Sequence, residues 1–532
     1  MTRYKVWLLI FLVLLLGAAA YIPSLGNDFS GLDDTSYIIN NEQIRSLSVS
    51  SLAKIFSEFV VGNYQPLTIL SFAIDYKIFQ LKPFFFHLTN LLLHLGNAGL
   101  VCWFIILLCR NWFIALFVSV FFLVHPMHVE SVVWVSERKD VLFLFFYMWG
   151  LIIYCVLFDR ILNKIFKNFL VLLFFILALL SKPTAVSFPI VLLLIDYYRS
   201  GKIDKKQIFD KTPFFILSLI FGCIALYAAQ TPFMAYEIVS PEQLNFNFVE
   251  RVLLSTYALW DYMVKFFLPF NLSFFYPYPK SGGLLNLYLS IYMLGFVGLI
   301  WLILKNFKRQ RVLIFGLSFF VFTIVFNLPC FGAGYSISAD RFTYLPYLGL
   351  AFATGFYIEQ YILTASFNKR YYLLVILVFI AVWFSFLTFQ RSKVWKNSGT
   401  LWADVVKKYP KHPLGYDNLA GYYLDKKNYS FAIALCDKAL SLDHKYYTAH
   451  YTKGVIYMKT QKWDEALKEY NQALEIFPYY FQALFSRGGV YFYKGELSKA
   501  LLDYNKALSI QPNDRNTLNN KEIVRRLLSE KK

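Results

Sequence analysis

The chain has 532 residues, 58% of them hydrophobic and only 16% charged, with a mean hydropathy of +0.48. A water-soluble protein of this length has no way to hide so much apolar surface, so the composition excludes one and points to the membrane. The net charge of +19 would suit a nucleic-acid ligand, but the basic residues gather in alternate short loops, which excludes that partner and makes the charge a record of topology.

Apolar runs of spanning or near-spanning length recur at residues 6–21, 86–109, 112–124, 141–157, 169–180, 185–195, 213–229, 287–304, 313–327, 345–362 and 372–389. This predicts about eleven spans. The runs at 112–124 and 185–195 are short enough to be tilted, broken or buried in protein. Arg3 with Lys5, Arg110, Arg160 with Lys164 and Lys167, the five cations of 199–211, the four of 305–311, and Lys369 with Arg370 occupy every second loop. Such loops are cytoplasmic. The N-terminus is therefore expected inside, and the loop after the first span outside together with the C-terminal region. A cleaved signal peptide ending at Ala18-Ala19-Ala20 is the competing reading of the first run. The six cysteines show no CxxC spacing and indicate neither a disulfide framework nor a zinc site.

Two adjacent carboxylates, Asp33 and Asp34, follow the first span directly. Kept at a membrane surface in a chain poor in charge, they are expected to face water, a cation or a reacting group. A helix cap or turn is the bland alternative. Segments 48–59 and 67–79 have apolar residues at helical spacing and read as interfacial helices. His87 and His94 share a helical face with Asn90 and Asn97 at the outer end of the second span. Between the third and fourth spans comes His125-Pro126-Met127-His128-Val129-Glu130, then Glu137, Arg138, Lys139 and Asp140. The His-x-x-His-x-Glu spacing is not a strong metal set. It is read instead as a polar wall, with Arg138 and Lys139 directed at phosphate. Lys182, in Ser181-Lys182-Pro183-Thr184, is either a snorkelling anchor or another phosphate contact.

Residues 247–267 read as an amphipathic helix, and the aromatic, proline-rich stretch 274–279 as an interfacial belt. After Gly332-Ala333-Gly334-Tyr335, the pair Asp340-Arg341 precedes Tyr344-Leu345-Pro346. Arg341 is a candidate second clamp for a phosphate. From residue 411 the composition turns soluble and a 34-residue period is plain: Ala420, Gly454, Gly488; Tyr423, Tyr457, Tyr491; Ala439, Ala473, Ala507. This matches tetratricopeptide repeats at 413–446, 447–480 and 481–514, with a charged capping helix after them. Residues 1–395 are expected to form the membrane domain, 396–410 a linker and 411–532 the repeats.

Asp33-Asp34 after the first span, His125-Pro-x-His128-x-Glu130 with Arg138 and Asp140, Asp340-Arg341 before Tyr344, and a terminal repeat array together resemble the transmembrane and tetratricopeptide repeat-containing protein O-mannosyltransferases and their bacterial relatives. The resemblance implies an all-α GT-C fold, a polytopic helix bundle with the repeats as a C-terminal solenoid. It also implies a site on the non-cytoplasmic face of a bacterial inner membrane or endoplasmic reticulum. The donor would be a polyprenyl- or dolichyl-phosphate sugar, often mannose, and the acceptor a hydroxyl of a protein or peptide recruited by the repeats. Asp33 or Asp34 would be catalytic. The donor phosphate would fall to Arg138, Arg341, Lys182 and Lys139, and the walls to His125, His128, Glu130, Asp140, Asp340 and Tyr344. A divalent cation is compatible with this set. The chief rival is a non-catalytic scaffold acting through its repeats. A transporter is disfavoured because the charges lie in loops rather than at the bilayer midplane.

Overall fold

The computed structural model describes residues 3–156, 164–229, 246–279, 283–306, 310–331 and 336–530. Arg160, two of the four cations of 305–311 and the segment 332–335 lie outside the described residues. Secondary structure among the described residues is helical, apart from one isolated bridge between Val60 and Asn63. The chain divides into two compact units, one built from the chain up to Asn397 and the other from Ser398–Lys532.

The first unit contains α1 (Arg3–Tyr21), α2 (Val49–Ser57), α3 (Pro66–Phe79), α4 (Pro83–Cys109), α5 (Trp112–Val124), α6 (Val129–Val133), α7 (Arg138–Val156), α8 (Lys164–Ser181), α9 (Phe188–Ser200), α10 (Lys205–Phe209) and α11 (Thr212–Ala229). It continues with α12 (Phe248–Phe267), α13 (Gly283–Asn306), α14 (Arg311–Ile324), α15 (Tyr347–Thr364) and α16 (Phe367–Val394). Among the described residues five helical stretches are long and apolar enough to cross a membrane: Pro83–Cys109, Val135–Val156, Leu287–Lys305, Arg311–Phe331 and Phe367–Val394. A sixth, Trp112–Val124 with Pro126–Val133, qualifies only across a 54° bend. Leu12–Gly26, Asn168–Ser181 and Thr212–Ala228 are apolar but shorter. Among the described residues these apolar helices support a multi-pass membrane protein.

α4 packs on α5 and α7, α7 on α8, and α14 on α15. The α14–α15 contact is a backbone approach. A Cβ at Gly349 would lie 2.4 Å from the Gly316 carbonyl oxygen, and one at Gly316 2.5 Å from the Gly349 oxygen. Small residues at such crossings let helices meet where no hydrophobic effect drives them together. Gly349→Leu is therefore expected to cost about 1–3 kcal/mol or more, since neither backbone can step aside. A lowered melting temperature of the detergent-solubilised protein would register it.

The second unit begins with α17 (Ser398–Lys408). Leu401, Trp402 and Val405 are buried on one of its faces, and it packs on α18 (Pro413–Asp425). The stretch read as a linker is therefore a helix of this unit. Helices α19 (Tyr429–Leu442), α20 (Tyr447–Lys459), α21 (Trp463–Ile476), α22 (Phe481–Tyr493) and α23 (Leu497–Ile510) complete three helical hairpins, and α24 (Arg515–Glu530) packs on the last. The repeat period has a packing cause. Gly454 faces the ring of Tyr470, and 34 residues on Gly488 faces Tyr504, each leaving no room for a Cβ. In the first hairpin the equivalent positions hold buried Ala420 and Cys436, a slightly larger residue opposite a much smaller one.

Candidate active site

The site is made where the chain between α5 and α7 refuses to be one helix. His125 is extended (φ −70°, ψ 127°), as a residue before proline prefers, and Trp134 is extended again (φ −75°, ψ 117°). The short helix α6 and the turn Val135–Glu137 lie between these breaks and α7, so Glu130, Ser131, Ser136, Glu137, Lys139 and Asp140 come from different turns to one place. Lys182, after α8, and Arg341, in the turn Asp340–Thr343, join them from elsewhere in the chain.

Glu137 is the centre of this cluster. One carboxylate oxygen is 3.0 Å from Lys139 Nζ and 3.4 Å from Arg341 Nε; the other is 4.0 Å from Lys182 Nζ. Each cation also has an acid of its own. Arg341 pairs with Glu130, whose second oxygen accepts from the Arg341 N–H at 3.2 Å. Lys182 pairs with Asp140, which accepts from Ser131 Oγ at 2.9 Å. Lys139 lies 3.9 Å from Asp33. Four carboxylates thus share three cations. The Arg341 guanidinium lies over Trp134 at 5.4 Å, and Lys139 over Tyr37 at 5.4 Å. A narrow cleft, with free space of only about 10 Å³, opens beside Lys182 and Arg341, with Thr184, Thr323, Asn327 and Phe143 on its walls. Among the described residues no three His, Cys, Asp or Glu side chains form a metal-binding group.

The two adjacent aspartates part company. Asp34 is buried: one oxygen accepts from Ser30 N (2.7 Å) and Ser30 Oγ (2.8 Å), the other from Ser136 N (2.8 Å) and Ser136 Oγ. Four donors fill it, so it pins its own turn to the turn that carries Glu137. Burial pushes its carboxyl up to about 6 against the pull of the Ser136 and Ser30 hydrogen bonds. Asp33 has 38% of its side chain open. Burial raises it above the usual aspartate range; Lys139 pulls it back, while Glu137 pushes it up. Asp33 carbonyl accepts from Ser36 and Tyr37 N–H at the start of the helical turn Thr35–Ile39, which fixes the backbone that presents its carboxylate.

The structure brings Asp33, Lys139, Lys182, Arg341, Glu130 and Asp140 together, and leaves other expected residues elsewhere. Arg138, expected to bind phosphate, is wholly buried and turned the other way. It pairs with Asp75 at 2.5 Å, donates to Asn90 Oδ1 and the Phe86 carbonyl at 2.8 Å, and lies over Phe72 at 4.7 Å. Neighbouring residues on a helix point about 100° apart, so Arg138 and Lys139 were never able to serve one ligand together. His125 and His128 are not a polar wall but part of an aromatic layer with Phe122, Phe266, Tyr344 and Tyr347. His125 donates to the Phe266 carbonyl at 3.1 Å, and His128 to that of Phe122 at 2.8 Å. Tyr344 borders the cleft, but its hydroxyl is 2.8 Å from Nδ1 of His94 behind it. Asp340 faces away from Arg341's partners and accepts from Tyr276 Oη at 2.7 Å. Burial raises its carboxyl, which Lys265 and Arg391 draw down.

Tyr276 belongs to the stretch read as an interfacial belt. Phe275, Tyr276 and Tyr278 are buried instead, because Tyr276 exchanges hydrogen bonds with Ser336 and Ile337 and so straps residues 273–278 to the segment that carries Arg341. Asp75, Ser30 and Ser136 were not picked out from the sequence, and Glu137 was noted only as one of a run of ionisable residues, with no role of its own. A lone aspartate within apolar α3 was a usable signal for Asp75, since a buried charge requires a partner. Glu137 had none beyond its crowded neighbourhood.

Comparison with known proteins matches residues 445–513 to the tetratricopeptide repeat family. The human protein O-mannosyl-transferase TMTC2 is 31% identical over 149 residues, covering 26% of this chain and 18% of that protein. The protein O-mannosyl-transferase F38B6.6 of Caenorhabditis elegans is 24% identical over 446 residues, covering 78% of this chain and 61% of its own length. Human TMTC3 is 28% identical over 129 residues, or 22% of this chain and 13% of that protein. The chain therefore matches less than two thirds of the length of these relatives, and the long match is too extensive to lie within the repeats alone.

Proposed function

We propose that the membrane unit is a GT-C type glycosyltransferase that moves a sugar from a polyprenyl-phosphate donor to a hydroxyl of a protein or peptide. The relatives' names make mannose the sugar to test first, and the repeats offer a surface for the acceptor. One observation carries the reading: a partly open aspartate lies 3.9 Å from Lys139, one of three cations gathered on the buried Glu137 carboxylate, and the other two, Lys182 and Arg341, border a cleft.

In the transfer, the acceptor oxygen forms a bond to the anomeric carbon while the bond from that carbon to the phosphate oxygen breaks. Its electron pair stays on the phosphate. The proton of the acceptor hydroxyl goes to Asp33, which acts as general base. Lys182 and Arg341, which border the cleft, stabilise the charge that grows on the departing phosphate. Lys139 holds Asp33 in place and favours its ionised form. The alternation of basic loops supports a site and repeats on the non-cytoplasmic face, where a lipid-linked donor needs no nucleotide-binding domain.

The direct test is transfer of radiolabelled mannose from polyprenyl-phosphate mannose to acceptor peptides in vesicles holding the protein. Transfer that depends on Asp33 supports the reading. No transfer with any lipid-phosphate sugar, together with normal function of a variant lacking Asp33, would favour the scaffold. Arg341→Met is expected to lower kcat about 10²-fold or more, as loss of one transition-state donor does elsewhere. Lys182→Met is expected to act in the same direction with a smaller effect, and donor titrations at fixed acceptor would measure both.

A further inference from the structure

On the far side of α3 from Asp75 lies a second, unrelated basic recess. A cleft of about 420 Å³, open to its surroundings, is lined by Arg45, Ser46, Ser48, Ala73 and Lys77 among others. Arg45 and Lys77 make no ion pair with a carboxylate among the described residues, unlike the cations of the cluster around Glu137. One guanidinium nitrogen of Arg45, Nη2, donates to the carbonyls of Ile38 (3.2 Å) and Ile39, and the guanidinium rests 4.4 Å over the Tyr76 ring. Its Nη1 is shielded from solvent and has no hydrogen-bond partner.

The surroundings say what sort of anion fits. Lys77 lies one turn on from Ile74, and Ile74 and Ile78, which are 45% and 63% exposed, form an apolar edge beside it; α2 also exposes Val49 and Phe56. A lysine set among exposed aliphatic side chains, beside an amphipathic helix, is the arrangement of a bilayer interface, where the stem lies in the acyl region and the ammonium reaches the headgroups. We infer that this recess binds the phosphate of an anionic phospholipid of the same leaflet. Lys77 Nζ and the hydroxyls of Ser46 and Ser48 would face the headgroup, with the Arg45 guanidinium adding positive charge from the wall of the recess, and acyl chains would lie over Ile74 and Ile78.

The site is separate from the donor cleft, but it touches the catalytic loop through one residue. Arg45 caps the carbonyl end of Thr35–Ile39, the turn that begins immediately after Asp34. A lipid phosphate holding Arg45 would steady the segment that presents Asp33.

The experiment is native mass spectrometry of the delipidated full chain titrated with phosphatidylglycerol or phosphatidylcholine. The wild type is expected to retain one phosphatidylglycerol in preference to phosphatidylcholine. Each charge near a membrane surface is worth a factor of about five, so Lys77→Gln should weaken retention about fivefold and Arg45→Gln with Lys77→Gln about 25-fold. Lys77→Arg should restore it. Lys77 is exposed and Lys77→Gln leaves Arg45's carbonyl contacts in place, so loss in that variant at an unchanged melting temperature is not a folding defect. Equal retention in wild type and Lys77→Gln, no preference over phosphatidylcholine, or displacement of the lipid by millimolar inorganic phosphate would each overturn the proposal. None of these readouts depends on sugar transfer.

Discussion

Asp33→Asn is expected to lower sugar transfer by about 10²- to 10⁴-fold, the range that a positioned general base contributes, without loss of protein from the membrane. The side chain makes one ionic contact, at 3.9 Å to Lys139, and keeps more than a third of its surface open, so little packing is at stake. The pH dependence should carry the same signature. The base works ionised, so rate falls as pH drops through its pKa; burial raises that pKa, and the acid limb should lie above the ordinary aspartate range. Asp33→Asn should remove this limb from whatever activity remains. Asp34→Asn should behave otherwise. An amide keeps one acceptor oxygen for four donors, leaving the Ser30 or the Ser136 pair unsatisfied, at about 1–3 kcal/mol for each stranded group. A lower melting temperature, with activity lost in proportion, is the expected result. Equal melting temperatures for the two variants would sink this division of labour.

The second large effect concerns stability alone. Arg138→Met should destabilise the membrane unit by roughly 3–5 kcal/mol, since it leaves the Asp75 carboxylate buried without its counter-ion and strands Asn90 Oδ1 and the Phe86 carbonyl. Adding Asp75→Leu should recover much of the loss, because an apolar pair of similar volume replaces a buried ionic one at small cost. Folded material of the double variant should keep its affinity for the donor. If instead its kcat fell as is expected for Arg341→Met, Arg138 would have to reach the ligand after all.

What the sequence made legible follows from which forces act locally. The repeats were plain because a Gly opposite a Tyr recurs at a fixed interval, and the interval is printed in the chain. The capped helix at Phe248–Phe267 was readable for the same reason: Asn247 and Glu250 make a reciprocal cap within four residues. The candidate site was legible as a set of charged loops but not as an arrangement. Which member of Asp33-Asp34 is filled by hydroxyl and amide donors depends on Ser136, about a hundred residues away, and no local pattern encodes that. Likewise Arg138 and Lys139 look alike in a list of cations, and only the partners waiting on α3 and α4 send one into the core and the other to Glu137. The break at residues 125 and 134 was half visible, since the proline announced the first bend and nothing announced the second.

The placing of Glu137 among three cations also limits the order in which a drifting lineage can alter them. While all three cations remain, losing the acid leaves them facing one another, and the change is heavily penalised. Once Lys182 or Arg341 has been replaced, the same loss is milder, and the acid becomes free to vary. Substitutions here should therefore show strong sign-dependent epistasis, with Glu137 the last residue to go.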